Sequence, residues 1–297
     1  MRDLGRVGVL GTGGAFARVD QIGYLKAMEE VGIVPFRMLA VSVAALNFAG
    51  YLQYGSRGVE LIWRGDSNED SEAYRKSIEG RGSPFIFDLW SFETLLRIFL
   101  RRGHIFDNRG LRELIKGFDM QKIVGSSTPL DIVTFNRSTR QPELFSTDSS
   151  LIRENPEVLR NIILAAVSPQ GIFENVLVQK GPEDKGSYYV DAMAWGVRSL
   201  FETGCNTVFV FRSRTHYHRP SAQEWWLSNL FELPDQGSNI LFDELLELAA
   251  LFYKGKIVQF RLDRGVKTLS RIRFRRGDVG RTIDLAYEKG KEVILGL

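Results

Sequence analysis

Residues 38–45 read MLAVSVAA, with a lone serine, Ser42, between Val41 and Val43. The apolar run 38–41 leads into it. The stretch AALNFAGYLQY (44–54) follows with helical spacing of its apolar residues. This pattern predicts a strand, a sharp turn and a helix. A serine on such a turn has its oxygen lifted clear of the sheet, the layout of a nucleophile elbow. Elbows usually carry glycine two places to either side of the serine, where this chain has Ala40 and Ala44. The competing reading is a small hydroxyl packed into a turn.

Working outward, RVGVL (6–10) is a short apolar run that ends at the loop GTGG (11–14). DQIGYLKAMEEV (20–31) then has helical periodicity, with Asp20 placed to cap its start and Gly32 to suit its end. The first sixty residues therefore predict strand, glycine loop, helix, strand, sharp turn, helix. That order implies an α/β fold with a mostly parallel central sheet and helices on both faces. Further along, helices are predicted over 109–117, 154–166 (with Pro156 near its start), 194–203 and around DELLELAALFY (243–253), with a closing helix from Asp278 or Gly280 to Val293. Strands are predicted at 129–135, 142–146, 187–190, 206–212 and 257–262, and a turn at VSPQGIF (167–173). The polar segment 64–83 reads as surface. The aromatic segment 84–103 reads as core, with a cap beside a pocket as the second reading. No internal repeat or linker divides the 297 residues, so a single domain over 1–297 is expected.

Composition excludes several classes. Hydrophobic residues make up 44% and charged residues 25%, ordinary for a globular chain. One cysteine, Cys205, allows no internal disulfide framework and suits a reducing, cytoplasmic setting. One cysteine and three histidines, so placed, suggest no metal cluster, and none is expected. The N-terminal MRDLGRVGVLGTGG is not read as a signal peptide, because its apolar run is short and breaks at glycine. No run of about 18 apolar residues predicts a membrane span. The net charge of +3 is too small to point to nucleic acid. The charge is uneven, however, and RLDRGVKTLSRIRFRRGDVGR (261–281) is strongly basic. It reads either as a solvated face or as a patch that meets anionic lipid head groups at a membrane periphery.

Four ordered pieces resemble the patatin-like phospholipases, a family of serine lipid acyl hydrolases. They are VGVLGTGGAFARVDQIGYLKAMEEVGI (7–33), LAVSVAALN (39–47), ILAAVSPQGIFENV (163–176) and YYVDAMAWG (188–196). The first is similar to the family's strand, oxyanion loop and helix, and the second to its G-x-S-x-G elbow. The fourth is similar to its D-G-[GA] motif. The resemblance implies one patatin-like domain and ester hydrolysis by a dyad of Ser42 and Asp191, without histidine. It implies an oxyanion loop of Gly11, Thr12, Gly13, Gly14 and Ala15. It also implies substrate contacts from Arg18, Val43 and Met193, a lipid or other ester as substrate, and no cofactor. The departures are specific. Arg18 is displaced from the family's G-G-G-x-[RK]-G spacing, the elbow glycines are Ala40 and Ala44, and the D-G-[GA] motif reads Asp191-Ala192-Met193. Each removes freedom from a place where the family keeps its backbone unobstructed. A catalytically impaired relative that binds lipid or a protein partner is therefore the alternative.

Other chemistries fit less well. GTGGAFA has Phe16 where a dinucleotide loop needs its third glycine, and no Lys-Ser or Lys-Thr follows, which excludes a Walker loop. A triad through His216 or His218 has the α/β-hydrolase order, but Ser42 lies close to the start for that fold. Asp191 also has a plain structural reading, as the cap of a following helix.

Overall fold

The computed structural model describes residues 3–14, 18–64, 108–181, 183–192, 197–212, 246–262 and 276–297, with side chains of the last stretch from 278. All of the polar segment 64–83 beyond Arg64, the segment 84–103, the histidines 216 and 218, Ala15, Met193 and most of 261–281 lie outside the described residues.

In chain order the elements are β1 (Val7–Gly11), α1 (Asp20–Glu30), β2 (Arg37–Val41), α2 (Ala44–Arg64), α3 (Arg109–Lys116), α4 (Met120–Val124), β3 (Leu130–Asn136), β4 (Gln141–Ser146), α5 (Ser150–Glu154), α6 (Val158–Ala166), β5 (Val176–Val178), β6 (Ser187–Asp191), α7 (Arg198–Glu202), β7 (Thr207–Phe211), β8 (Lys256–Phe260) and α8 (Arg276–Leu295). Residues 246–253 are also helical. The fold is α/β, with an open, mostly parallel sheet of eight strands and helices around it, in the order β5-β6-β3-β2-β1-β7-β8 with β4 on β3. By contacts the chain forms two compact units, 1–39 with 194–297, and 40–193.

In the first unit, β1 pairs parallel with β7, and β7 parallel with β8. The strands are near-continuous apolar runs, as a sheet buried on both faces requires. Helix α1 ends in a Schellman turn. Gly32 takes a φ of +75°, its N–H donates to the Glu29 carbonyl at 3.1 Å, and the Ile33 N–H donates to Met28 at 2.9 Å. The start of α1 differs from expectation: Val19 is the N-cap, and Asp20 sits inside the first turn with no capping bond. Asp20 is fully buried beside Arg18, so its carboxylate faces a guanidinium 4.0 Å away rather than the helix end.

Helices α1 and α8 pack with their backbones almost touching. A Cβ built on Gly23 would lie 2.3 Å from the Ile283 carbonyl oxygen and 2.6 Å from the Tyr287 nitrogen. A Cβ on Gly290 would lie 2.8 Å from that of Ala27. Next to Gly23, the ring of Tyr24 is fully buried against Phe211 and Phe260 at 5.3 and 5.4 Å. Alanine in place of a mid-helix glycine ordinarily favours the helix by about 1 kcal/mol. At Gly23 the sign reverses, because a backbone carbonyl of the partner helix cannot step aside. Gly23→Ala is expected to lower stability by about 1–3 kcal/mol, seen as a lower urea midpoint.

In the second unit, β3 and β4 form an antiparallel hairpin with Phe135 opposite Pro142 and Ile132 opposite Phe145. Strand β6 pairs antiparallel with β3, and β5 with β6. The predicted helix over 154–166 is α6, which begins at Val158, while the short α5 before it was not predicted. Pro156 lies between them, where its missing N–H and the restriction it imposes on Asn155 end α5. Helix α2 runs ten residues beyond the predicted 54 but bends at Gly55, whose φ is +72°. The short elements α4 and β5 were not predicted.

Candidate active site

Ser42 is the first residue after β2, and α2 starts two residues later. Its φ is +59°, a region that costs a side-chain-bearing residue roughly 1–2 kcal/mol. Only two other described residues apart from glycine, Arg140 and Lys254, have positive φ. The turn closes locally: the Ser42 carbonyl accepts from Ala45 N–H at 2.9 Å, and the Val43 carbonyl from Asn47 N–H at 3.2 Å. The N–H groups of Ala45, Leu46 and Asn47 are spent on this turn, so it is the dipole of α2 that favours negative charge at this corner.

The alanines flanking Ser42 fit. Ala40 and Ala44 are fully buried and neither has a positive φ, so neither place demands glycine. Ser42 itself keeps 9% exposure. Ala192, beside Asp191, also lacks a positive φ. Val43 is buried.

The glycine loop follows β1 in the first unit. Gly11 ends the strand opposite Phe211. Thr12 is tied on both sides: its hydroxyl donates to the Phe211 carbonyl at 3.2 Å, and its carbonyl accepts from Gln21 Nε2 at 2.9 Å. The Gly13 carbonyl accepts from Arg18 Nε at 2.5 Å. A trans peptide points its N–H opposite its C=O. With the Thr12 and Gly13 carbonyls turned toward Gln21 and Arg18, the N–H groups of Gly13 and Gly14 each point away from the side chain that holds the carbonyl of the same peptide. Gly14 has φ +144°, and a Cβ there would lie 2.6 Å from Arg18 Nε. Arg18 is 5% exposed and spans the loop from behind. The structure thus shows it bracing the loop. Gln21 does the same work at Thr12 and was not singled out from sequence.

Asp191 is the last residue of β6, opposite Thr134 of β3, and it is buried. Its N–H donates to the Ser168 carbonyl at 3.0 Å. Ser168, from the turn after α6, is fully buried. Its hydroxyl bonds the Leu164 carbonyl at 2.7 Å and lies 3.4 Å from Asn108 Oδ1. Asn108 in turn donates to the Glu174 carbonyl at 2.9 Å. Three segments distant in sequence therefore fix the backbone at Asp191. The following helix, α7, starts at Arg198 with Val197 as N-cap, so Asp191 is not its cap.

A polar cluster two residues upstream steadies the same strand. Glu143 of β4 accepts from Lys180 and Tyr189 at 2.8 Å and from Asn136 at 2.7 Å, linking β3, β4 and β6. Burial alone would push Glu143 up, but the bonds from Lys180, Asn136 and Tyr189 outweigh it and hold the carboxyl below its usual range. A depressed folded value means stability that is present above the unfolded carboxylate value and lost as pH falls through the folded one. Glu143→Gln should cost about 1 kcal/mol at neutral pH, a low figure because water screens the partly exposed Lys180. That deficit against wild type should shrink as pH drops below about 4. Urea melts at both pH values check it.

Beside α2, Leu46, Gly50, Val59, Trp63, Leu114 and Phe118 line a small apolar recess. Leu46 lies one helical turn beyond Ser42. Among the described residues no group of three metal-ligating side chains occurs, and no helix is long and apolar enough to cross a membrane.

No family model and no curated protein matches this sequence. Among solved structures, the chain is similar over 98% of its length to VipD from Legionella pneumophila, at 11% identity and a TM-score of 0.48, covering 67% of that chain. It is similar over 97% of its length to human GIVD cytosolic phospholipase A2, at 10% identity and a TM-score of 0.45, covering 61% of it. The type III effector protein ExoU of Pseudomonas aeruginosa aligns over 98% of this chain at 9% identity, with a TM-score of 0.41 and 53% of its own length covered. The chain thus spans between about half and two thirds of the proteins it resembles in structure.

Proposed function

We propose that this protein is a patatin-like serine hydrolase of lipid or other carboxylic esters. The observation that carries the reading is the left-handed backbone at Ser42. A serine held at φ +59° between a strand and a helix is strain that packing alone does not call for. Ser42 Oγ attacks the ester carbonyl while Asp191 takes the hydroxyl proton. The oxyanion is met by the loop Gly11, Thr12, Gly13, Gly14 and Ala15, with the N–H groups of Gly13 and Gly14 foremost, because that of Thr12 donates to the Phe211 carbonyl at 3.5 Å. The proton passes from Asp191 to the leaving alkoxide. Water then cleaves the acyl-enzyme by the reverse roles.

Strand β6 lies two places from β2 in the sheet, with β3 between. That is about 10 Å between strand axes, a gap that an aspartate and a serine reaching inward can close. Val43 and Met193 are assigned to the substrate side, and Arg18 acts by bracing the loop. No cofactor takes part. The basic segment 261–281 is assigned to contact with a membrane periphery. The test is a fluorophosphonate probe read by intact mass. A single adduct on the folded wild type supports the reading. No adduct sinks it and leaves the binding-only alternative.

A further inference from the structure

We infer that the helical stretch 246–253 carries an anchor for an anionic phospholipid surface. Leu248, Leu251 and Phe252 are 61%, 77% and 80% exposed. Spaced at i, i+3 and i+4, they share one helix face. The opposite face is fastened to its own unit. Leu246 is buried, Tyr253 stacks on Phe201 at 5.4 Å with the rings 16° from parallel, and its hydroxyl donates to Glu202 at 3.2 Å. Behind it the chain is pinned again, because a Cβ on Gly255 would lie 2.2 Å from the Phe201 ring. Lys254, at φ +50°, ends the helix. Three large apolar side chains are thus held outward on a fixed support. Isolated exposed hydrophobes are ordinary, but a fixed contiguous group marks a surface that meets something.

Charge identifies the occupant. Lys254 and Lys256 follow at once and are exposed; among the described residues of the helix, 246–253, the exposed acid is Glu247. An apolar wedge joined to basic residues is the two-part signal for anionic bilayers, where the chains enter the interface and the cations meet the head groups. A second copy of this chain would instead bring like charges together, which opposes association. The surface extends the lipid reading above, but it depends on neither Ser42 nor Asp191.

The test is flotation of the full chain with phosphatidylcholine vesicles, with and without phosphatidylserine. It is run on the wild type and on Ser42→Ala, so that failure of catalysis and failure of anchoring stay distinguishable. Both proteins should bind the phosphatidylserine vesicles at low salt and lose binding as salt rises. Leu251→Asp with Phe252→Asp should cut partitioning at least tenfold, and Lys254→Gln should cut it roughly fivefold. The apolar pair is so exposed that its replacement should leave thermal unfolding unchanged. The inference is overturned by absent binding at low salt, by equal binding to both vesicle types, or by unaltered binding of the double variant. It is also overturned if the wild type forms a dimer that the double variant abolishes.

Discussion

Ser42→Ala should lose the fluorophosphonate adduct and at least about 10³-fold in ester hydrolysis, while Ser42→Gly, equally inactive, should be more stable than wild type. The two variants separate chemistry from backbone. Both remove the oxygen, so both remove the nucleophile. Only glycine also removes the Cβ that makes φ +59° costly. Relief of roughly 1–2 kcal/mol is partly offset by the greater freedom glycine has when unfolded. A net gain of about 0.5–1 kcal/mol is expected for Ser42→Gly, and little change for Ser42→Ala. A residue that can be made more stable only by losing function is what a strained catalytic turn predicts. Denaturant melts of the three proteins, with labelling by intact mass, decide the matter. Persistent labelling of Ser42→Ala would place the reactive group elsewhere. Unchanged stability of Ser42→Gly would mean the turn holds no usable strain.

Much of this was legible in the residues. Strand, loop, helix, strand, turn and helix over the first sixty residues follow from periodicity and from two kinds of glycine. One is Gly32, which ends α1; the other is the loop Gly11–Gly14. Periodicity failed where a tertiary partner or a single residue overrode it. Asp20 has the right chemistry for a cap, yet Arg18 sits beside it in the folded chain, and no spacing rule shows which demand wins. Pro156 does stand just ahead of α6, but the five-residue α5 before it is too short to show a period. The elbow alanines were the main doubt about Ser42. Their meaning depended on φ at positions 40 and 44, which a sequence does not carry. The supports of the site were not legible either. Ser168, Asn108 and Gln21 are ordinary polar residues until the fold sets Ser168 against the backbone of Asp191, Asn108 against the Ser168 hydroxyl and Gln21 against the backbone of Thr12.

Asp191→Asn is expected to lose about 10²–10⁴-fold in kcat/KM with its fold intact. The amide matches the carboxylate in size, and the bond that fixes this residue runs through its backbone N–H to Ser168, which the substitution leaves alone. Stability should therefore move little, and lost rate reports lost proton transfer. Labelling should fall with hydrolysis, because phosphonylation also needs the serine deprotonated. Histidine supplies the contrast. If Asp191 is itself the base, His216→Ala and His218→Ala keep activity within about threefold, a small change on the free-energy scale of the chemical step. If Asp191 only orients a histidine, one of those two variants falls as far as Asp191→Asn does. The pH–rate profile gives a second discrimination. A carboxylate base leaves the rate flat through the range where imidazole titrates, near pH 6.5, and lowers it only in more acid solution. A rate that instead falls by half near pH 6.5, together with a dead histidine variant, would replace the dyad with a triad and leave Ser42 as the nucleophile.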